Sequence, residues 1–165
     1  MASITLWPDA AGTLTGIDDC TEANHWSAVD DLIDSSYVRQ DSGTDSDYYH
    51  MQALGIPGAS IINSVRVRWR AYSHKIFPGG FGDAAGGLRL GGVNVTVSFG
   101  LDNAWLNYDA LISRPGGGSW TVADFAATEF VLTLASGSGW SACSSIRVDI
   151  DYTPSLSVNP ILFIG

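Results

Sequence analysis

Residues 61–72 read IINSVRVRWRAY, and the alternation inside them decides the fold class. From Val65 to Tyr72, Val65, Val67, Trp69 and Ala71 fall on one side, and Arg66, Arg68, Arg70 and Tyr72 on the other. Successive side chains of a β-strand point to opposite faces, so this period of two describes an amphipathic strand with one buried face. A helix would spread the three arginines around its cylinder. Three of the eight basic residues of a chain with formal charge -9 therefore share one polar face. Like charges two apart on a strand repel, so the row predicts carboxylates opposite it, across the sheet or on a partner.

Other stretches repeat the signal. Ile146, Val148, Ile150 and Tyr152 alternate with Arg147, Asp149 and Asp151. If this strand neighbours 65–72, its aspartates complement the arginine row. Residues 88–99, LRLGGVNVTVSF, alternate as well, with Gly91-Gly92 predicting a bulge or bend. Ser3–Trp7, Tyr37–Val38, Tyr48–Leu54 and Phe130–Leu134 add short strands. Residues 11–16 read as small and flexible, and 74–87 as an exposed Pro/Gly-rich loop. Thr121 followed three residues later by Asp124 forms a capping-box pattern, predicting a short helix from Val122 to Ala127. Roughly eight strands with glycine-rich turns predict an all-β fold. It would be an antiparallel, jelly-roll-like β-sandwich with one short helix. The expected organisation is one domain over 1–165, with an N-terminal arm (1–16) and a C-terminal tail (154–165) ending in ILFIG.

Composition narrows the function. At 165 residues the chain is long enough for one sizeable core, and 45% hydrophobic content argues against disorder. Charged residues are 15%, below the roughly 25% of average soluble domains, while 19 glycines and six tryptophans suit a turn-rich β protein. A net charge of -9 opposes nucleic-acid binding. No run approaches the ~20 apolar residues of a membrane-spanning helix. MASITLWPDAAG lacks the regions of a signal peptide, which suggests cytosolic synthesis or a mature chain.

The residues that carry chemistry are sparse. His25, His50 and His74 sit in no metalloprotease pattern, no nucleophile elbow is present, and PGGFG and PGGG do not connect a strand to a helix as phosphate loops do. The expectation is a non-enzymatic protein with no catalytic residues and no cofactor. Nine of the 17 acidic residues fall between positions 18 and 47. Within DSGTDSD (41–47), Asp41, Asp45 and Asp47 are a candidate cation loop, although the EF-hand spacing and closing Glu are missing. A solvated acidic turn is the plainer reading. Cys20 and Cys143 match no zinc spacing. They leave two readings open, independent thiols or a cross-link contributing about 4 kcal/mol in the chain-entropy model. Trp105, Tyr108 and Trp140 lie near loops and are candidates for stacking on a sugar ring, against the alternative of core and rim packing.

Several segments, in order, resemble a module of tailed-phage virion proteins. They are Asn24-His25-Trp26 with Val29-Asp30-Asp31, then Ser36-Tyr37-Val38, and then Val65–Ala71. Pro115–Thr121 with Ala123-Asp124-Phe125, and Ile146–Tyr152, complete the set. The resemblance implies a jelly-roll-like virion part, a capsid decoration protein or another accessory protein, made in the host cytoplasm and extracellular after lysis. Its implied partners are copies of itself, with a trimer plausible, and other virion proteins such as the major capsid protein. Ile161, Leu162, Phe163 and Ile164 are the expected oligomer contacts. The alternatives are a carbohydrate-binding module with a glycan partner, or a subunit of an extracellular filament.

Overall fold

The computed structural model describes residues 1–75 and 80–155. Two antiparallel sheets face each other. The first follows the order β3 (Asp19–Cys20), β4 (Val38–Gln40), β11 (Trp140–Thr153), β6 (Ile61–His74), β9 (Leu106–Leu111), and β1 (Ala2–Leu6) also pairs with β11. The second runs β2 (Pro8–Thr15), β5 (Thr44–Met51), β10 (Glu129–Ala135), β7 (Asp83–Leu90), β8 (Val93–Gly100). Along the described strands the chain changes sheet at every connection except β3 to β4 and β7 to β8. This Greek-key-like interleaving of two sheets is the predicted all-β sandwich with jelly-roll character. Among the described residues no helix is long and apolar enough to cross a membrane.

The opening stretch is the middle of the 14-residue β6, and its neighbour is β11 as the charges predicted. Val67 lies opposite Val148, Arg68 opposite Arg147 and Arg66 opposite Asp149. Val65, Val67, Trp69 and Ala71 are buried with Ile146, Val148 and Ile150 between the sheets. Phe130, Leu132 and Leu134 of β10 and Leu88 of β7 close the core from the other side. Trp69 fits because Gly86 of β7 has no side chain; a Cβ there would lie 2.5 Å from the indole. Arg68 pairs with Asp149 at 2.7 Å, Arg70 with Asp34 at 2.6 Å, and Arg66 with Asp109 of β9.

Several sequence readings are corrected. Residues 2–15 are not an arm: β1 and β2 are strands of the two sheets. Gly91 and Gly92, read as a bulge or bend within one strand, form a two-residue hairpin turn between β7 and β8, with φ of 58° and 84°. That left-handed pair is the turn type whose twist matches the flanking strands, and glycine adopts it freely. The acidic turn is shorter than read, because β5 already begins at Thr44. Val122–Ala126 is a 3-10 turn, started by Asp124, which accepts bonds from the Thr121 amide (2.8 Å) and hydroxyl (2.9 Å). The tail residues Ile161, Leu162, Phe163 and Ile164 lie outside the described residues.

Candidate functional site

The outer face of the first sheet carries a cluster of aromatic side chains at one end. Outward positions on β6 continue past the arginines to Tyr72 and His74, and β11 begins with Trp140 opposite His74. The next outward residue of β11 is Ala142, which is opposite Tyr72 on one side and Arg39 of β4 on the other. A methyl group leaves room above the sheet, and the rings fill it, so Ala142 is fully buried although it points away from the core. Tyr37, just before β4, lies nearly parallel to Trp140 (9°, centroids 6.3 Å apart). Trp105, in the loop before β9, meets Tyr72 at 5.4 Å and Tyr37 at 6.0 Å. Tyr72 meets Trp140 at 5.1 Å, and His74 meets Trp140 at 5.4 Å.

All five rings are half-buried. Polar groups fix them. The Tyr72 hydroxyl donates to Asn103 Oδ1 at 2.6 Å. The backbone of Tyr37 exchanges bonds with Thr21, its amide donating to Oγ1 at 2.8 Å. The Arg39 guanidinium lies 5.7 Å from the centre of the Trp140 ring and is held by Asp19 and Asp41. Aromatic pairs at these distances are each worth about 0.5–1.5 kcal/mol beyond burial, so the cluster is a rigid platform.

Beside the platform the same face becomes polar. Asp34 bridges Arg70, through both of its oxygens, and the Ser144 hydroxyl at 3.1 Å. The Arg70 guanidinium, aided by Ser144, holds the Asp34 carboxyl below the usual range against the opposing effect of burial. A shallow hollow follows, lined by Leu32, Arg68, Arg70, Asn107, Asp109 and Arg147 among others. Three arginines and one aspartate line it, with Arg68 and Arg70 ion-paired to Asp149 and Asp34 beside it, so it is rich in hydrogen-bond donors whose charge is partly offset.

The predicted site residues divide. Trp105 and Trp140 are brought together on the platform, but Tyr108 is not. It occupies an inward position of β9, stacked on Trp69 (19°, 6.0 Å) and against Phe99. The candidate cation loop does not converge. Asp41 pairs with Arg39, and Asp45 lies 3.4 Å from the Gln40 side-chain amide. Asp47 is buried, accepting from the amides of Gly16 (2.8 Å) and Ile17 (3.0 Å) and from the Tyr49 hydroxyl (2.8 Å), with His25 Nδ1 at 2.5 Å. Asp45 and Asp47 share one face of β5, opposite Leu134 and Leu132, but Asp45 is exposed near the start of the strand while Asp47 is buried, and among the described residues no three metal-binding side chains cluster.

Both cysteines are free. Cys20 and Cys143 are each registered against Val38, on opposite sides of β4. Two strand spacings put their Cα atoms roughly 10 Å apart, beyond the ~7 Å limit for a disulfide. Burial pushes the Cys143 thiol up to about 12.

The platform residues not foreseen are Tyr37, Tyr72 and His74. Tyr72 and His74 continue the polar period of the opening strand, a signal present in the sequence. Tyr37 joins them only because β4 lies beside β11.

No family model and no curated protein sequence matches this chain. Solved structures similar to it include TmCBM61 in complex with β-1,4-galactotriose, with TM-score 0.44 and 14% identity over 88% of this chain and 86% of that one. BiXyn10A CBM1 overlays with TM-score 0.39 and 11% identity over 72% and 73%. The coat protein of Tobacco streak virus overlays with TM-score 0.33 and 13% identity over 81% and 98%. At such identities and scores none of them transfers a ligand or a role to this chain.

Proposed function

We propose that this protein is a non-enzymatic binding module whose ligand is a saccharide, taken on the outer face of the first sheet. The observation that carries this reading is the ring platform of Tyr37, Tyr72, Trp105 and Trp140. A β-sandwich ordinarily places its large aromatics in the core, as Trp69 is placed here at 2% exposure. The platform rings are instead half-buried on the outside. The C–H face of a pyranose packs on an indole or phenol ring, while hydroxyl groups need donors and acceptors close by. Arg39, Asn103 and the Asp34–Arg70 pair supply these next to the rings. The hollow beyond Arg70 adds arginine and asparagine donors that hydroxyls of further sugar units could use. A glycan array probed with the purified chain, followed by calorimetry on any hit, tests the reading. Trp140→Ala is expected to abolish binding while leaving the fold intact by circular dichroism. An array without a hit, or a hit unaffected by Trp140→Ala and Trp105→Ala, refutes it.

A second reading is an accessory subunit of a tailed-phage virion. It is favoured by the ordered segments that resemble that module, which fall at structurally linked places. His25 anchors the Trp26 turn on buried Asp47, and Arg114 clasps Asp124 below the Trp120–Phe125 stack. Adhesion by an N-terminal arm no longer belongs to this reading, since those residues are strands. The tail contacts Ile161–Ile164 remain part of it. Immunogold labelling of purified particles, with the full chain and with residues 155–165 deleted, decides it. Unlabelled particles end the virion reading, and unchanged incorporation of the deletion removes the tail from it.

A further inference from the structure

We propose that β8 is the seat of a twofold contact with a second copy of this chain, joining the two β2–β5–β10–β7–β8 sheets edge to edge. The inference stands whether or not the platform takes a saccharide.

β8 ends its sheet: β7 occupies one edge, and no described strand occupies the other. Proteins blunt such edges with lysine, proline, bulges or a covering loop. The eight residues VNVTVSFG contain no charge and no proline, in a chain of net charge -9. β8 also pairs with β7 over all eight residues without a register shift, so no bulge turns its edge away. The core is open on this side. Inward-facing Val93 and Phe99 remain 47% and 37% exposed, and Leu106 of the facing edge strand β9 is 42% exposed. Phe99 is held against Trp69 and Tyr108, so its position is fixed before any partner arrives.

The strand is its own complement. In an antiparallel pair, residues directly opposite each other share a face. Centring a twofold axis on Thr96 sets Val93 opposite Phe99 of the second copy and Val95 opposite Val97, all inward. It sets Asn94 opposite Ser98 and Thr96 opposite its own counterpart, all outward. Apolar meets apolar, polar meets polar, and no like charges oppose one another along the strand in a protein that otherwise repels itself. A lysine-rich or acidic partner would gain nothing from this strand, whereas a second copy satisfies both of its faces. Eight residues span about 27 Å, and the sandwich is about 10–15 Å deep, giving roughly 270–400 Å² per copy. A total of roughly 540–800 Å² is below that of a standard stable interface and corresponds to a weak, reversible, concentration-dependent dimer.

The test uses sedimentation velocity of the full chain over a hundredfold concentration range at physiological salt. Wild type is expected to shift from monomer to dimer across the range. Thr96 is exposed and faces away from the core. Thr96→Lys and Thr96→Glu therefore spare the monomer, checked by unchanged thermal unfolding, while placing like charges opposite each other at the axis. Each variant is expected to weaken the dimer at least tenfold, and an equimolar mixture of the two to restore it. A chain lacking residues 156–165 is expected to dimerise as wild type does. Monomeric wild type throughout overturns the proposal. So does a dimer indifferent to both Thr96 variants, a mixture that fails to recover it, or a dimer lost with the tail.

Discussion

The Arg114–Asp124 clasp gives the sharpest energetic prediction. Asp124 accepts from Arg114 Nε at 3.0 Å and Nη2 at 2.9 Å, and from the Thr121 amide and hydroxyl. The guanidinium, with the Thr121 bonds reinforcing it against burial, lowers its pKa from 3.8 to about 2. The depressed pKa belongs to the folded state, so the stabilisation is fully present above about pH 4 and is lost as pH falls through about 2. Nearly two pH units correspond to about 2 kcal/mol by linkage. Arg114 is 30% exposed, so solvent screening reduces this to about 1–2 kcal/mol. Asp124→Asn keeps the shape and removes the charge. It should destabilise by that amount at pH 7, about 3–6 °C in thermal midpoint for a chain of this size. The difference from wild type should shrink steeply as pH falls toward the folded pKa of about 2. Urea titrations of both proteins at pH 7, 4 and 2.5 measure it. A penalty independent of pH, or one below about 0.5 kcal/mol at pH 7, would show that the clasp is geometry without electrostatic weight.

Other outcomes follow from the same coordinates. Asp47→Ala leaves two amides, the Tyr49 hydroxyl and His25 without their acceptor, and should cost about 3–5 kcal/mol in chemical denaturation; a cost under ~1 kcal/mol would mean water replaces the carboxylate. Gly86→Ala drives a methyl into the Trp69 ring, with an expected penalty of about 1–3 kcal/mol and an altered Trp69 emission. An unshifted midpoint would contradict the tight contact. Native protein should react with a thiol reagent at Cys20 alone at pH 8, Cys143 becoming reactive only on unfolding; intact mass should show both thiols reduced. Rapid modification of both cysteines in the native state would contradict the packing around β4.

The sequence by itself determined the fold class and the pairing at its centre. The period of two in VRVRWRAY requires a strand with one buried face, and the matching period in Ile146–Tyr152 supplies an aspartate-bearing strand able to face its arginines. Both are local, because alternation is a property of consecutive residues. Where periodicity was silent the reading failed. Ala11–Thr15 has no apolar alternation, yet it forms part of β2 because β5 offers it a hydrogen-bonding edge. Gly91-Gly92 reads alike as bulge or turn until the strands on either side are seen to pair with each other.

The candidate site depended still more on tertiary structure. Trp105 and Trp140 are 35 residues apart, and nothing in their spacing joins them to Tyr37. They meet because β4 and β6 flank β11 and because Ala142 is too small to keep the rings apart. The same registry places Val38 between Cys20 and Cys143, which only the strand order could reveal. Alternation puts Asp45 and Asp47 on the same face of β5, and only the packing over the middle of that strand buries Asp47 while leaving Asp45, near its start, exposed. Local pattern specifies which way a side chain points; only the packing of distant strands decides what it meets.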